Sequence, residues 1–147
     1  MLCLRDSPII AFITKTTLMK FSTQQQIFTR HIALLIQKAN ALGVGLTFGE
    51  AYRTLDQQEL YFYGKTVRPA DMRLELISGK KRAKTMYSKH LMRLAVDFNF
   101  FVGGVLTYTD PLVEQLGLYW ESLDPLNRWG GHFKNFYDAP HFERNVP

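Results

Sequence analysis

The chain has 147 residues, 46% of them hydrophobic and 14% aromatic, which is enough for one domain around one sizeable core. Its single cysteine, Cys3, excludes an internal disulfide framework and a thiolate-rich structural metal site, and fits synthesis in a reducing compartment. The net charge of +5 and a pI near 9.4 point to an anionic partner: nucleic acid, a membrane surface or an acidic wall polymer.

No apolar run is long enough for a transmembrane helix. Residues 1–21 read as an N-terminal extension of low functional value and a candidate for disorder, and residues 22–147 as the single domain. The short apolar stretch from Pro8 to Ile13 lacks the basic flank and cleavage site of a signal peptide, and Met19 offers an alternative start. Ser22 with Gln25 then forms a capping-box pattern, and Phe28, Ile32, Leu35, Ala39 and Leu42 recur at helical spacing before the stop at Gly43. His31 lies near this stripe without a ligand-spaced partner and reads as structural. Val44 to Tyr52 predicts a strand, with Arg53 at its end. Thr54 and Gln57 open a short helix that runs to Tyr63 and stops at Gly64. An arginine at such a junction can point into a cleft, although arginines are also common on surfaces.

Val67 to Met86 has weak periodicity and, with Lys65, holds a concentration of basic residues: Arg68, Arg73, Lys80, Lys81, Arg82 and Lys84. A connection of this length and composition predicts a mobile basic loop, lid or binding segment. The clearest strand follows, with Leu94, Val96, Phe98 and Phe100 alternating with Ala95, Asp97, Asn99 and Phe101. Asp97 therefore lies opposite the apolar face, either on a cleft floor or toward solvent. Gly103-Gly104 predicts a hairpin turn with Val105 to Tyr108 returning antiparallel. Asp110-Pro111 opens a helix reaching about Leu123, because proline suits the first helical position. Asp124-Pro125 reads as a turn, and Trp129 to Phe133 as irregular. Asp138 to Phe142 is not helical, since Pro140 biases Ala139 toward extended backbone.

Two polar constellations stand out near the C-terminal end. Ser88-Lys89-His90 with Asp97, and Asp138-Ala139-Pro140-His141, supply two imidazoles and a carboxylate able to bind a metal. They also supply a second carboxylate three residues before one of the imidazoles. A catalytic zinc site uses three protein ligands, an open fourth position and a nearby proton acceptor. The combination reads as a zinc hydrolase. Each half alone is a weak signal, and the non-helical Asp-x-x-His differs from the helical His-Glu-x-x-His of other metallopeptidases.

With their flanks these segments are specific. Ser88 to Asp97, Trp129-Gly130-Gly131 and Asp138 to Phe142, preceded by Glu50-Ala51-Tyr52-Arg53-Thr54, Gln58, Tyr61 and Gly64, resemble the zinc D-Ala-D-Ala carboxypeptidase and L-alanyl-D-glutamate endopeptidase family. That family includes vancomycin-resistance dipeptidases and phage endolysins, and shares its fold with the Hedgehog signalling domain. The resemblance runs through nearly all of residues 22–143 in the family's order. It implies an α+β fold, a small antiparallel sheet with flanking helices. It also implies Zn2+ held by His90, Asp97 and His141, Asp138 as general base, and Arg53 on the substrate or the developing oxyanion. Ser88 is implied in substrate binding or in support of the metal ligands.

The implied substrate is the peptidoglycan stem peptide. An endolysin-like L-Ala-D-Glu endopeptidase is favoured, with a D-Ala-D-Ala carboxypeptidase as the alternative. An inactive wall-binding module of the same fold is a further alternative, opposed by the intact His90, Asp97, Asp138 and His141. The expected protein is a monomer made in the bacterial cytoplasm without a signal peptide and acting on the cell wall. No specific nucleic-acid partner is expected, the cluster Lys80-Lys81-Arg82 being the only support for one. Asn99, Glu143 or a backbone carbonyl is expected to orient a ligating imidazole. Three departures from the family stand out. Many members have glycine where Arg93 stands, the basic segment is longer than in compact members, and His132 falls at a variable position, so no fourth histidine ligand is implied.

Overall fold

The computed structural model describes residues 19–147; Cys3 and the apolar stretch from Pro8 to Ile13 lie outside the described residues. Helix α1 (Phe21–Ala41) buries Phe28, Leu35 and Ala39 along one face, as their helical spacing requires. Its N-cap is Lys20, which makes no side-chain capping bond. The Ser22–Gln25 pair is therefore not a capping box, because Ser22 already lies inside the first turn. The Gln25 amide instead donates to the Met92 carbonyl at 2.8 Å, tying α1 to the segment that carries His90.

Strand β1 (Val44–Phe48) ends four residues short of Tyr52, yet the backbone stays attached to its neighbour. Gly49 N–H donates to the Asp97 carbonyl, and Asp97 N–H to the Glu50 carbonyl, both at 2.8 Å. Helix α2 (Leu55–Tyr63) is capped by the Thr54 hydroxyl, which accepts from Gln57 N–H, and ends at Gly64 in the left-handed conformation, φ 63°.

The expected basic loop is instead a regular hairpin over most of its length. Strand β2 (Lys65–Ala70) pairs antiparallel with β3 (Arg73–Ser78) around a two-residue turn, with φ of 39° at Asp71 and 66° at Met72. Positive φ at both central residues gives a twist that matches the flanking strands. Pro69 fits in β2 because a two-stranded ribbon leaves each strand one free edge where proline costs no ladder bond.

The main sheet adds β4 (Ala95–Val102), β5 (Val105–Thr107), β6 (Asn127–Trp129) and β7 (His141–Arg144). The order is β1-β4-β7-β6, with β5 also on β4 and every pairing antiparallel. Helix α3 (Pro111–Ser122) starts at Asp110, whose carboxylate accepts from Leu112 N–H at 2.9 Å. Val96, Phe98, Phe100 and Phe142 bury one face of the sheet against α1 and α3. Trp120 of α3 stands edge-on to Phe28 at 5.7 Å and to Phe142 at 5.9 Å. Each large apolar side chain fully buried here contributes about 1.5–3 kcal/mol. Arg144, 1% exposed, is satisfied by Gln24 at 2.7 Å and Asp124 at 3.0 Å, and so fastens the end of β7 to α1. This is the α+β architecture implied by the resemblance, with three α-helices among the described residues flanking small antiparallel sheets.

One detail of β4 positions the site. Residues 95–97 pair with β7, whereas residues 100–102 pair with β5. The strand changes partner along that edge just after Asp97, whose side chain lines the cleft.

Candidate metal centre and its cleft

Asp97 and His141 are cross-strand partners in the β4–β7 ladder, so their side chains leave the same face of the sheet. The third member comes from a short 3-10 turn, Lys89–Met92. The Ser88 hydroxyl caps this turn by accepting from His90 N–H at 3.3 Å, and Arg93 ends it in the left-handed conformation, φ 54°. Glycine is at ease at such a backbone angle, which accounts for its use there in the family resembled. Arg93 accepts the strain and lays its guanidinium over the Tyr52 ring at 4.1 Å.

His90, Asp97 and His141 each offer one donor atom, all within 4.8 Å of one another. His90 Nε2 lies 3.3 Å and His141 Nδ1 3.0 Å from the same carboxylate oxygen, Asp97 Oδ1. His90 is buried, and its Nδ1 has no hydrogen-bond partner among the described residues. The polar side-chain contact that remains to this buried ring is that of Nε2 with Asp97 Oδ1. Two imidazole nitrogens and one carboxylate oxygen form a donor set that suits zinc and leaves a fourth position open. The residues fit the ion.

The electrostatics follow from this packing. Burial alone would raise the Asp97 pKa, but hydrogen bonds and charge from His141 and His90 outweigh it and hold the carboxyl below its usual range. Burial would lower His141, yet its bonds to Asp97 and to Glu143 outweigh that and hold the metal-free imidazole at about 9. His141 Nε2 donates to Glu143 at 3.0 Å, leaving Nδ1 to face Asp97. Glu143 is itself buried and paired with Arg128. Of the residues weighed for orienting an imidazole, Glu143 does so. Asn99 does not: it bonds Thr47 at 3.1 Å and Tyr108 at 2.6 Å, bracing β4 against its neighbours.

Asp138 reaches the cleft from a tight turn. Its N–H donates to the Gly130 carbonyl, and its own carbonyl accepts from His141 N–H, both at 3.0 Å. A Cβ at Gly130 would meet the Asp138 carbonyl at 2.3 Å and the Cβ atoms of Asp138 and His141 at 3.0 Å, so only glycine allows this approach. Burial raises the Asp138 carboxyl above its ordinary pKa. The negative charge of Asp97 adds to the shift, and His141, His90 and Lys84 oppose it.

Arg53 is held on three sides. Its guanidinium makes a two-point pair with Glu50, donates to Gln58 at 2.7 Å and lies 5.0 Å from the Tyr61 ring centre. Gln58 is fully buried and also donates to the Thr85 carbonyl, linking α2 to the chain that leads into Ser88. Burial would lower the Arg53 pKa, but Glu50, with Asp97 and Tyr61, raises it.

These residues meet in one cleft of about 850 Å³, lined by Arg53, Ser88, His90, Asp97, Asp138 and His141. Every site residue nominated from the sequence is there. Phe133, Phe136 and Tyr137 form an aromatic part of the wall, while Arg82, Lys84 and Lys134 add cations. His31 is elsewhere, against Trp120 and Asn127. His132 lines the cleft but pairs with Glu121 at 2.8 Å rather than joining the three-residue group. Glu143, Gln58 and Gly130 are supporting residues whose importance depends on contacts far apart in sequence. No helix among the described residues is long and apolar enough to cross a membrane.

Residues 81–144 match the model of the family described as D-alanyl-D-alanine carboxypeptidase. That span contains Ser88, His90, Asp97, Asp138 and His141; Arg53 precedes it. No curated protein matches the chain. Among solved structures, the L-Ala D-Glu endopeptidase ChiX of Serratia marcescens is similar in fold, with a TM-score of 0.57 and 22% identity, covering 80% of this chain and 77% of that one. The family match therefore falls on the segments that carry His90, Asp97 and His141, and the surrounding fold is similar to that of a solved peptidase.

Proposed function

We propose that the chain is a zinc-dependent peptidase that hydrolyses a bond in the stem peptide of peptidoglycan. The observation that carries this reading is the convergence of His90 Nε2, His141 Nδ1 and Asp97 Oδ1 in the cleft that also holds Asp138 and Arg53. Zinc held by these three residues supplies Lewis-acid chemistry to water and to the scissile carbonyl. Asp138 takes the proton from the attacking water and returns it to the departing amine, and its raised pKa suits both transfers. Arg53 spends three of its N–H groups on Glu50 and Gln58. A guanidinium has five, so two remain to meet the carbonyl oxygen as negative charge builds on it. Ser88 acts through the backbone cap that fixes His90.

The favoured bond is L-Ala-D-Glu, in an endolysin-like monomer delivered to the wall. This is supported by the likeness to an L-Ala D-Glu endopeptidase and by the basic charge, which suits an anionic wall. The second reading, removal of a terminal D-Ala, is favoured by the description of the family that matches residues 81–144. Digestion of purified wall followed by mass spectrometry of the muropeptides separates them. New L-Ala and D-Glu termini are expected; loss of one D-Ala identifies a carboxypeptidase, and wall binding without new termini identifies an inactive module. Elemental analysis should find about one zinc per chain and much less in His90→Ala and His141→Ala. Equal zinc in all three proteins would sink the metal assignment.

A further inference from the structure

Residues 65–84 hold seven basic residues (Lys65, Arg68, Arg73, Lys80, Lys81, Arg82, Lys84) and two acidic ones (Asp71, Glu75). That surplus of five equals the net charge of the whole chain, +5. The same segment presents apolar side chains to solvent. In the β2–β3 register Val67 stands opposite Leu76 and Pro69 opposite Leu74, so these four share one face of the hairpin. Val67 is 43%, Leu76 62% and Leu74 73% exposed, and Met72 at the tip is fully exposed at 108%. No residue from 65 to 78 lines the cleft, whose wall begins at Arg82 on this side. The hairpin therefore has no part in holding the reacting bond.

We propose that the β2–β3 hairpin is a membrane-docking element that sets its apolar tip into the surface of an anionic phospholipid bilayer. A contiguous exposed apolar face calls for an apolar phase to receive it. Six paired residues per strand give a ribbon about 20 Å long. Met72, Leu74 and Pro69 lie at its far end, and Lys65, Lys80 and Lys81 at its base. This is the order of groups across a bilayer interface, with apolar side chains at the acyl boundary and cations among the headgroups. Arg68 and Arg73 flank the tip on the other face, where they share Glu75 at 3.0 and 3.7 Å and leave a surplus of one positive charge. An acidic wall polymer would satisfy the cations but leave the leucines and methionine in water. A second copy of the chain would cover the leucines but bring two strongly basic hairpins together.

Vesicle co-sedimentation tests this independently of any peptidase activity. The wild type should bind vesicles of equal parts phosphatidylglycerol and phosphatidylcholine, and not phosphatidylcholine alone. Met72→Ser with Leu74→Ser should weaken binding about a hundredfold, through loss of the apolar contribution. Lys65→Gln with Lys80→Gln and Lys81→Gln should weaken it at least about tenfold. Both variants should keep the wild-type thermal midpoint and turnover of a soluble muropeptide. Three outcomes would overturn the proposal: no binding to anionic vesicles, sedimentation with purified wall only, or undiminished vesicle binding by the serine variant. A concentration-dependent dimer in light scattering that the serine variant abolishes would overturn it as well, and would assign the face to a second copy.

Discussion

Replacing Gly130 by alanine should disturb the site by moving Asp138 and His141 together. The added Cβ would sit 2.3 Å from the Asp138 carbonyl oxygen and 3.0 Å from the Cβ atoms of Asp138 and His141. None of these atoms is the far end of a flexible side chain, so the turn itself must shift. Forcing a methyl group into packed structure costs about 1–3 kcal/mol, which for a domain of this size lowers the thermal midpoint by about 3–10 °C. The functional cost should be larger, because a displacement of about 1 Å in a catalytic group can reduce turnover about a hundredfold. Gly103→Ala is the control. Its Cβ would meet nothing within 4 Å, although its φ of 57° carries the same kind of backbone strain that any left-handed residue feels. Thermal melts of both variants, competition for zinc with a chelator, and turnover of a soluble muropeptide distinguish the two. Gly130→Ala should lose stability, zinc affinity and activity, whereas Gly103→Ala should lose stability alone. A Gly130→Ala protein with wild-type zinc affinity and turnover would refute the steric argument.

Asp138→Asn should keep its zinc and lose about a hundredfold or more in turnover. Because burial disfavours the charged carboxyl, the same change should raise the thermal midpoint of the metal-free protein at neutral pH. Loss of zinc here, with zinc retained in Asp97→Asn, would mean the two carboxylates have exchanged roles. In the metal-free protein, His141 is raised from 6.5 to about 9. The stability it contributes is complete below pH 6.5 and is lost as pH climbs through 9, so the metal-free midpoint should fall over that window. Zinc uptake at pH 7 should accordingly release about one proton, read by calorimetry in buffers of different ionisation enthalpy; no proton release would contradict the assignment of His141. Arg53→Lys keeps a positive charge but cannot form the two-point pair with Glu50, and should lower kcat/KM about 10²-fold or more while zinc content is unchanged. A loss confined to zinc content would make Arg53 structural.

The parts of the site that could be read in the sequence are those fixed by local rules. Asp97 falls opposite Val96 and Phe98 because a strand alternates every residue, and that face does line the cleft. Thr54, Asp110 and Gly64 do what their positions beside helices predict. The same local rules misled where long-range contacts had the casting vote. Ser22 and Gln25 have the spacing of a capping box, but Gln25 is drawn to Met92, 67 residues away. The basic stretch after Gly64 looked irregular because its charges masked the alternation of Arg73, Leu74, Glu75 and Leu76. Its strands pair with each other and bury little, so no core-facing apolar stripe announces them.

The supporting residues were hidden for a related reason. Glu143 is two residues from His141 and would leave the same face of any strand, yet which ring nitrogen it meets depends on how β7 lies against β4 and β6. Once Asp97 is in register with His141, one side of the imidazole is taken by Asp97 Oδ1, and the ring can reach Glu143 only through Nε2. The nitrogen of His141 that faces Asp97, and with it the proposed metal, is thus chosen by strand pairing. Gly130 belongs to the same chain of causes: it lets the Asp138 turn approach closely enough for His141 N–H to close on the Asp138 carbonyl. Asp138 and His141 are therefore held as one unit, three residues apart in sequence and joined by a backbone bond. The proposed general base and the proposed metal ligand, built this way, move together or not at all.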